Sequence, residues 1–214
     1  MNPTATPAGL HGWRLFAALA IAVLAVTALC LLSQPQLVEA LRSAIRATAR
    51  TSFALFLATF LASSLASLAP SAGTRALLRE RRFLGLAFAF SHLVHGVLII
   101  AYLKLFPETF WAGRSAAANI PGSIGYLFIL LLAATSFPAA VKALGARTWK
   151  LLHGTGTWVI AGIFCLSFFK RIPMGPWYAL GFALIFSAIV LKLTAKLALR
   201  LRRSNRPALR GASH

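Results

Sequence analysis

The chain has 214 residues, of which 59% are hydrophobic and 12% charged, about half the charged share of a soluble domain. Its 22 Lys and Arg against 3 acids give a net charge of +19, but the apolar runs leave no room for a soluble basic domain, which excludes a nucleic-acid-binding module. The class is therefore an all-α integral membrane protein whose basic residues flank helices and touch anionic lipid.

Residues 1–14 read as an N-terminal tail, 15–197 as a six-helix transmembrane domain and 198–214 as a basic tail. The first span, Leu15 to Leu32, has an apolar run longer than a signal-peptide core. The Leu-Ser-Gln-Pro after it is no small-x-small cleavage site, so it reads as a retained helix. From Pro35 to Ala49, Leu37, Val38, Leu41 and Ile45 recur at helical spacing among Glu39, Arg42 and Arg46. That pattern predicts a short amphipathic helix lying in the interface, with a plain connecting loop as the alternative.

The second span covers Thr51 to Pro70, entered at Arg50, with Ser63, Ser64 and Ser67 as small residues for close helix approach. Arg75, Arg79, Arg81 and Arg82 are expected in a short loop before the third span, Phe83 to about Leu103. A loop with Phe110, Trp111 and Arg114 closes at Pro121. The fourth span then runs from Ile124 to about Val141, with Pro138 kinking or ending it. The fifth span is Leu151 to Phe169, preceded by Lys142, Arg147 and Lys150. After Lys170, Arg171, Pro173 and Pro176, the sixth runs from Trp177 to about Leu197, with Lys192 expected to snorkel outward. The tail adds Arg200, Arg202, Arg203, Arg206 and Arg210.

The side bearing both termini carries 15 of the 22 basic residues, so both termini are expected in the cytoplasm and the protein in the inner (plasma) membrane. No glycine-rich strand-to-helix turn for a flavin or nicotinamide nucleotide is present, so a redox cofactor has to sit in the membrane. Cys30 and Cys165 both fall inside apolar runs, which speaks against a disulfide framework or a zinc site. The three acids, Glu39, Glu80 and Glu108, are expected in loops, which leaves no intramembrane carboxylate for a coupled transporter.

Histidine inside a bilayer needs a partner. His92 and His95 are three residues apart and share one face of the third span, where Gly85, Ala87, Ala89, Ser91 and Gly96 keep the surface small. His153 lies near the start of the fifth span. Neutral imidazoles from facing helices suit the axial positions of a b-type haem. Zinc or copper suits these surroundings less well, because no carboxylate or thiol lies near. The alternative is that each ring bonds a serine or a carbonyl and only packs helices together.

Arg81-Arg82-Phe83-Leu84-Gly85-Leu86 followed by His95 resembles the Arg-Arg-x-Leu-Gly-Leu…His signature of the ferric reductase-like transmembrane family. That family includes the haem-binding membrane subunit of the bacterial methionine sulfoxide reductase system. Arg50-Thr51…Leu57-Ala58-Thr59, Thr135-Ser136 with Leu144-Gly145, and Trp149-Lys150-Leu151-Leu152-His153 agree with its pattern in order, over roughly residues 50 to 170. The resemblance places His95 and His153 at haem-ligand positions and makes Arg50 and Arg82 candidates to pair haem propionates, a role that suits guanidinium. Two departures stand out. The family's further histidine, thirteen residues after His153, is here Leu166, and His92 is additional, as in a His-x-x-His branch.

Measured from Arg82 and Lys150 at about 1.5 Å per residue, His92 lies about 15 Å into its span, His95 about 20 Å and His153 about 5 Å. On depth, His92 with His153 is the easier pair for one haem, leaving His95 opposite Leu166. Trp158, mid-span, either stacks on a cofactor or fills space. The resemblance implies an electron-transfer component, with quinol or a partner reductase as donor and a partner or metal ion as acceptor. A haem-free structural or assembly subunit is the alternative.

Overall fold

Long apolar runs with few breakers dictate helices, and the described residues form helices and no strand. The computed structural model describes residues 10–112 and 115–204. The helices are α1 (Trp13–Leu32), α2 (Leu37–Leu68), α3 (Ala72–Leu105), α4 (Pro107–Trp111), α5 (Ile120–Ala134), α6 (Pro138–Leu144), α7 (Ala146–Phe169) and α8 (Pro176–Ser204). Six stretches are long and apolar enough to cross a bilayer: α1, α2, α3, Ala116–Ala134, α7 and α8. The chain is a multi-pass membrane protein. Arg114, Arg206 and Arg210 lie outside the described residues.

Several boundaries differ from the sequence reading. The segment from Pro35 to Ala49 is no separate interfacial helix, because α2 runs unbroken for 32 residues. The apolar side of its first turns is buried: Leu41 and Ala44 pack with Leu98, Tyr102 and Phe110. Its polar side is tied down as well. Arg42 donates to Tyr102 at 3.0 Å and to Glu39 at 2.8 Å.

The four arginines from Arg75 to Arg82 are helical rather than looped, since α3 starts at Ala72. Ser71 and Thr74 explain the early start. The Thr74 amide donates to the Ser71 hydroxyl at 3.1 Å and the Ser71 amide to the Thr74 hydroxyl at 2.9 Å, a reciprocal cap. Pro138 ends nothing by itself: α5 stops at Ala134 and the proline opens α6, where its missing N–H costs least. Gly145 joins α6 to α7 at φ 77°, a conformation that L side chains rarely adopt.

The three acids also sit on helices, not in loops. Glu80 is buried and accepts the Gly12 amide at 2.8 Å, with His11 Nδ1 at 3.3 Å from its other oxygen. This carboxylate anchors the chain ahead of α1 to α3.

The chain divides into two compact units, Met1–Leu55 with Glu80–Arg114, and Phe56–Arg79 with Ser115–His214. In lipid, helices gain little from apolar burial, so small residues and polar contacts decide where they pack. In the first unit Ala40, Ala44, Ser52, Ala87 and Ser91 are almost fully buried, and the Ser52 hydroxyl donates to that of Ser91 at 2.9 Å. In the second unit glycine does this work. A Cβ at Gly156 would lie 3.0 Å from Phe128 and 3.1 Å from Leu132, and one at Gly181 only 2.6 Å from Phe168.

Lys192 corrects an expectation. Its ammonium does not snorkel outward: it donates to the Phe60 carbonyl at 2.6 Å and lies 4.4 Å from the centre of the Phe60 ring. A bare charge in hydrocarbon needs such a partner.

Candidate functional site

His95 sits on the seam where α2 and α3 meet in the first unit. Ser91 and His95 are four residues apart on α3, and Thr48 and Ser52 are four apart on α2, so each pair lines one helix face. Ser52 meets Ser91, and one turn away Thr48 meets His95, with 3.1 Å between the Thr48 hydroxyl and His95 Nδ1. Nδ1 also lies 3.1 Å from the Ile45 carbonyl.

These contacts set the tautomer. A carbonyl only accepts, and the Thr48 hydroxyl already donates to the Ala44 carbonyl at 2.8 Å. His95 Nδ1 therefore carries the proton and donates to both oxygens. The lone pair is on Nε2, the arrangement in which imidazole serves as a metal ligand.

His92 is half-buried beside it. Its ring centre is 5.2 Å from that of His95 and 5.7 Å from that of Phe88. The structure thus brings His92 and His95 together on one helix. Arg82 is half-buried near the start of the apolar part of α3, its guanidinium 5.4 Å from the Phe83 ring centre and 6.0 Å from that of Trp13. Arg50 does not mark a helix entrance; it is an exposed residue within the continuous α2.

His153 belongs to the second unit and has different surroundings. Its Nε2 lies 2.9 Å from the Thr135 hydroxyl, which itself donates to the Leu131 carbonyl at 2.6 Å. With that proton committed, His153 Nε2 is the donor to Thr135. Trp149 stacks on the imidazole at 4.2 Å between ring centres and donates its indole N–H to the Thr135 carbonyl at 2.8 Å. Two stretches singled out separately in the sequence, Thr135-Ser136 and Trp149 to His153, form one bonded cluster between the end of α5 and the first turns of α7.

Leu166, thirteen residues further along α7, is 41% exposed. Trp158 packs edge-on against Phe60, with 5.5 Å between ring centres. Thr48, Ile45, Thr135 and Trp149 were not among the candidate site residues read from the sequence. For Thr48 a signal was there, since a threonine and a serine four apart on one span matched a serine and a histidine four apart on the next.

The donor chemistry fits an iron-binding imidazole at His95, whose Nε2 is the unprotonated nitrogen. At His153 the fit carries a condition: a metal held at Nε2 would require the Thr135 bond to be given up.

The family model for the ferric reductase like transmembrane component matches residues 48–164. The chain is 41% identical over 99 residues to the protein-methionine-sulfoxide reductase heme-binding subunit MsrQ of Polaromonas naphthalenivorans (strain CJ2), a match covering 45% of this chain and 44% of that protein. It is 39% identical over 90 residues to the MsrQ of Azospira oryzae, covering 38% of this chain and 36% of the relative. The matched stretch thus spans less than half the length of either relative. The family match takes in Thr48, His92, His95, Thr135 and His153 and covers more than half of the chain, which belongs to the ferric reductase-like transmembrane family.

Proposed function

We propose that this chain is a membrane-embedded b-type haem protein that transfers electrons, an oxidoreductase component working with a partner. His92, His95 and His153 are the residues that would hold the haem iron, and Arg50 and Arg82 those that would pair the propionates. One observation carries the reading: His95 Nδ1 donates to a backbone carbonyl, which leaves Nε2 as a neutral nitrogen donor on a membrane helix. The relatives, named as heme-binding subunits, support the same cofactor.

A haem held by these residues would supply reversible one-electron chemistry that the side chains themselves lack. The chain's contribution is to hold the ligands. Ile45 and Thr48 fix the His95 ring in one tautomer, and Trp149 and Thr135 fix the His153 ring in one plane. Apolar helices around them keep water out and the local dielectric low.

We assign no flavin or nicotinamide site to the chain. The donor is then quinol or a partner reductase, and the acceptor a partner protein or a metal ion. The excess of basic residues beside both termini supports an inner-membrane protein with those termini in the cytoplasm.

A second reading has two observations in its favour. His153 is engaged with Thr135, and Leu166 replaces a family histidine, as suits a haem-free structural or assembly subunit. One measurement separates the two. Protein purified in detergent after expression with haem is scanned reduced minus oxidised. Clear b-type bands that weaken in His92→Ala, His95→Ala or His153→Ala support electron transfer. Folded protein without bands overturns it in favour of the scaffold reading.

A further inference from the structure

An open groove of about 570 Å³ runs along α7 in the second unit, with Lys150, Leu151, Gly154, Thr155 and Trp158 on one wall and Lys196 of α8 on the other. Lys150 and Lys196 are exposed, and the Lys196 ammonium stands 5.3 Å from the Trp158 ring centre. One turn earlier on α8, Lys192 is already engaged with the Phe60 carbonyl, so the two lysines divide into an inner, satisfied charge and an outer one facing the groove.

No Asp or Glu side chain of this unit is available to pair with Lys150 and Lys196. The chain's three acids, Glu39, Glu80 and Glu108, all belong to the first unit. The rest of the lining is apolar or open: Leu151 and Trp158 offer hydrocarbon contact, and a Cβ added at Gly154 would meet nothing within 4 Å. Two ammonium groups beside an apolar wall on a membrane helix match an amphiphile with an anionic head and hydrocarbon tails.

We propose that this groove binds an anionic phospholipid, with Lys150 and Lys196 pairing its phosphodiester, the Thr155 hydroxyl donating to a headgroup or ester oxygen, and Leu151 and Trp158 covering the first methylenes of an acyl chain. Free phosphate satisfies only the charges. A zwitterionic lipid carries the same phosphodiester, but its own quaternary ammonium already neutralises that charge and is repelled by the two lysines. The site goes beyond the electron-transfer reading and stands or falls without it.

The test is native mass spectrometry of the full-length protein in detergent, titrated with phosphatidylglycerol, with phosphatidylcholine, and with inorganic phosphate as competitor. Phosphatidylglycerol is expected to be retained at least about tenfold better than phosphatidylcholine and not to be displaced by millimolar phosphate. Lys150→Gln and Lys196→Gln each lower that retention about fivefold, and the double variant brings it to the phosphatidylcholine level. Gly154→Phe, which fills the groove with both lysines intact, lowers it too, and keeps the test decisive if the double variant loses helix content by circular dichroism. Equal retention of the two lipids overturns the proposal. So does displacement by phosphate, or unchanged retention in Gly154→Phe.

Discussion

His95 and His153 have the same side chain, the same kind of threonine neighbour and opposite chemistry. His95 gives Nδ1–H to Ile45 and Thr48 and keeps a lone pair on Nε2. His153 spends Nε2–H on Thr135. The cause is which ring nitrogen each threonine faces: Thr48, together with the Ile45 carbonyl, meets Nδ1 of His95, whereas Thr135 meets Nε2 of His153. Thr135 caps α5 and is held there by the Trp149 indole bonding its carbonyl. A histidine's value as a ligand therefore depends on which ring nitrogen its neighbours occupy, as well as on its place in the membrane.

The two units differ in packing as well. The first closes through a polar seam, Ser52 on Ser91 and Thr48 on His95. The second closes through bare backbone at Gly156 and Gly181. One should be sensitive to lost hydrogen bonds and the other to added volume.

The comparison breaks most sharply at His95. In haem-loaded protein, His95→Ala is expected to remove most of the reduced-minus-oxidised band, and His153→Ala to remove less. The reverse order would mean that Thr135 yields its bond to the metal. The packing contrast comes next. Gly156→Leu is expected to destabilise by about 1–3 kcal/mol through overpacking against Phe128 and Leu132, read as lowered resistance to denaturation in detergent.

Smaller effects test the tautomers. Thr135→Val releases His153 Nε2 and is expected to raise haem retention about fivefold, the worth of one hydrogen bond. Thr48→Val should lower retention by less than the roughly tenfold that loss of an outer-shell partner costs, because the Ile45 carbonyl still accepts from Nδ1. Opposite signs for two identical substitutions, measured by haem titration, would confirm the difference between the rings. The smallest expected effect is Ser91→Ala, about 0.6 kcal/mol in the same denaturation assay, typical of a hydrogen bond between membrane helices.

Much of the fold was legible in advance for a local reason. A run of about twenty apolar residues crosses a bilayer wherever its neighbours are, so all six spans could be read from the chain. The boundaries were less legible. An amphipathic stretch such as Leu37 to Ile45 looks interfacial whether it ends at Ala49 or continues into a span, and only its packing on Leu98 and Tyr102 distinguishes the two. Pro138 was a visible breaker, but whether it closes a helix or opens one depends on the turn before it.

Alone, then, the sequence determined the class, the number of spans, the family signature and the membrane histidines, because hydropathy and motif spacing are properties of short stretches. It could not determine which ring nitrogen is free to ligate, or where Lys192 sends its charge. Those depend on oxygens far along the chain: Thr48 lies 47 residues from His95, and Phe60 lies 132 residues from Lys192. Only the tertiary structure brings them within 3.1 Å and 2.6 Å. A polar group in lipid takes the partner that packing offers, and packing within each unit joins stretches far apart in the chain.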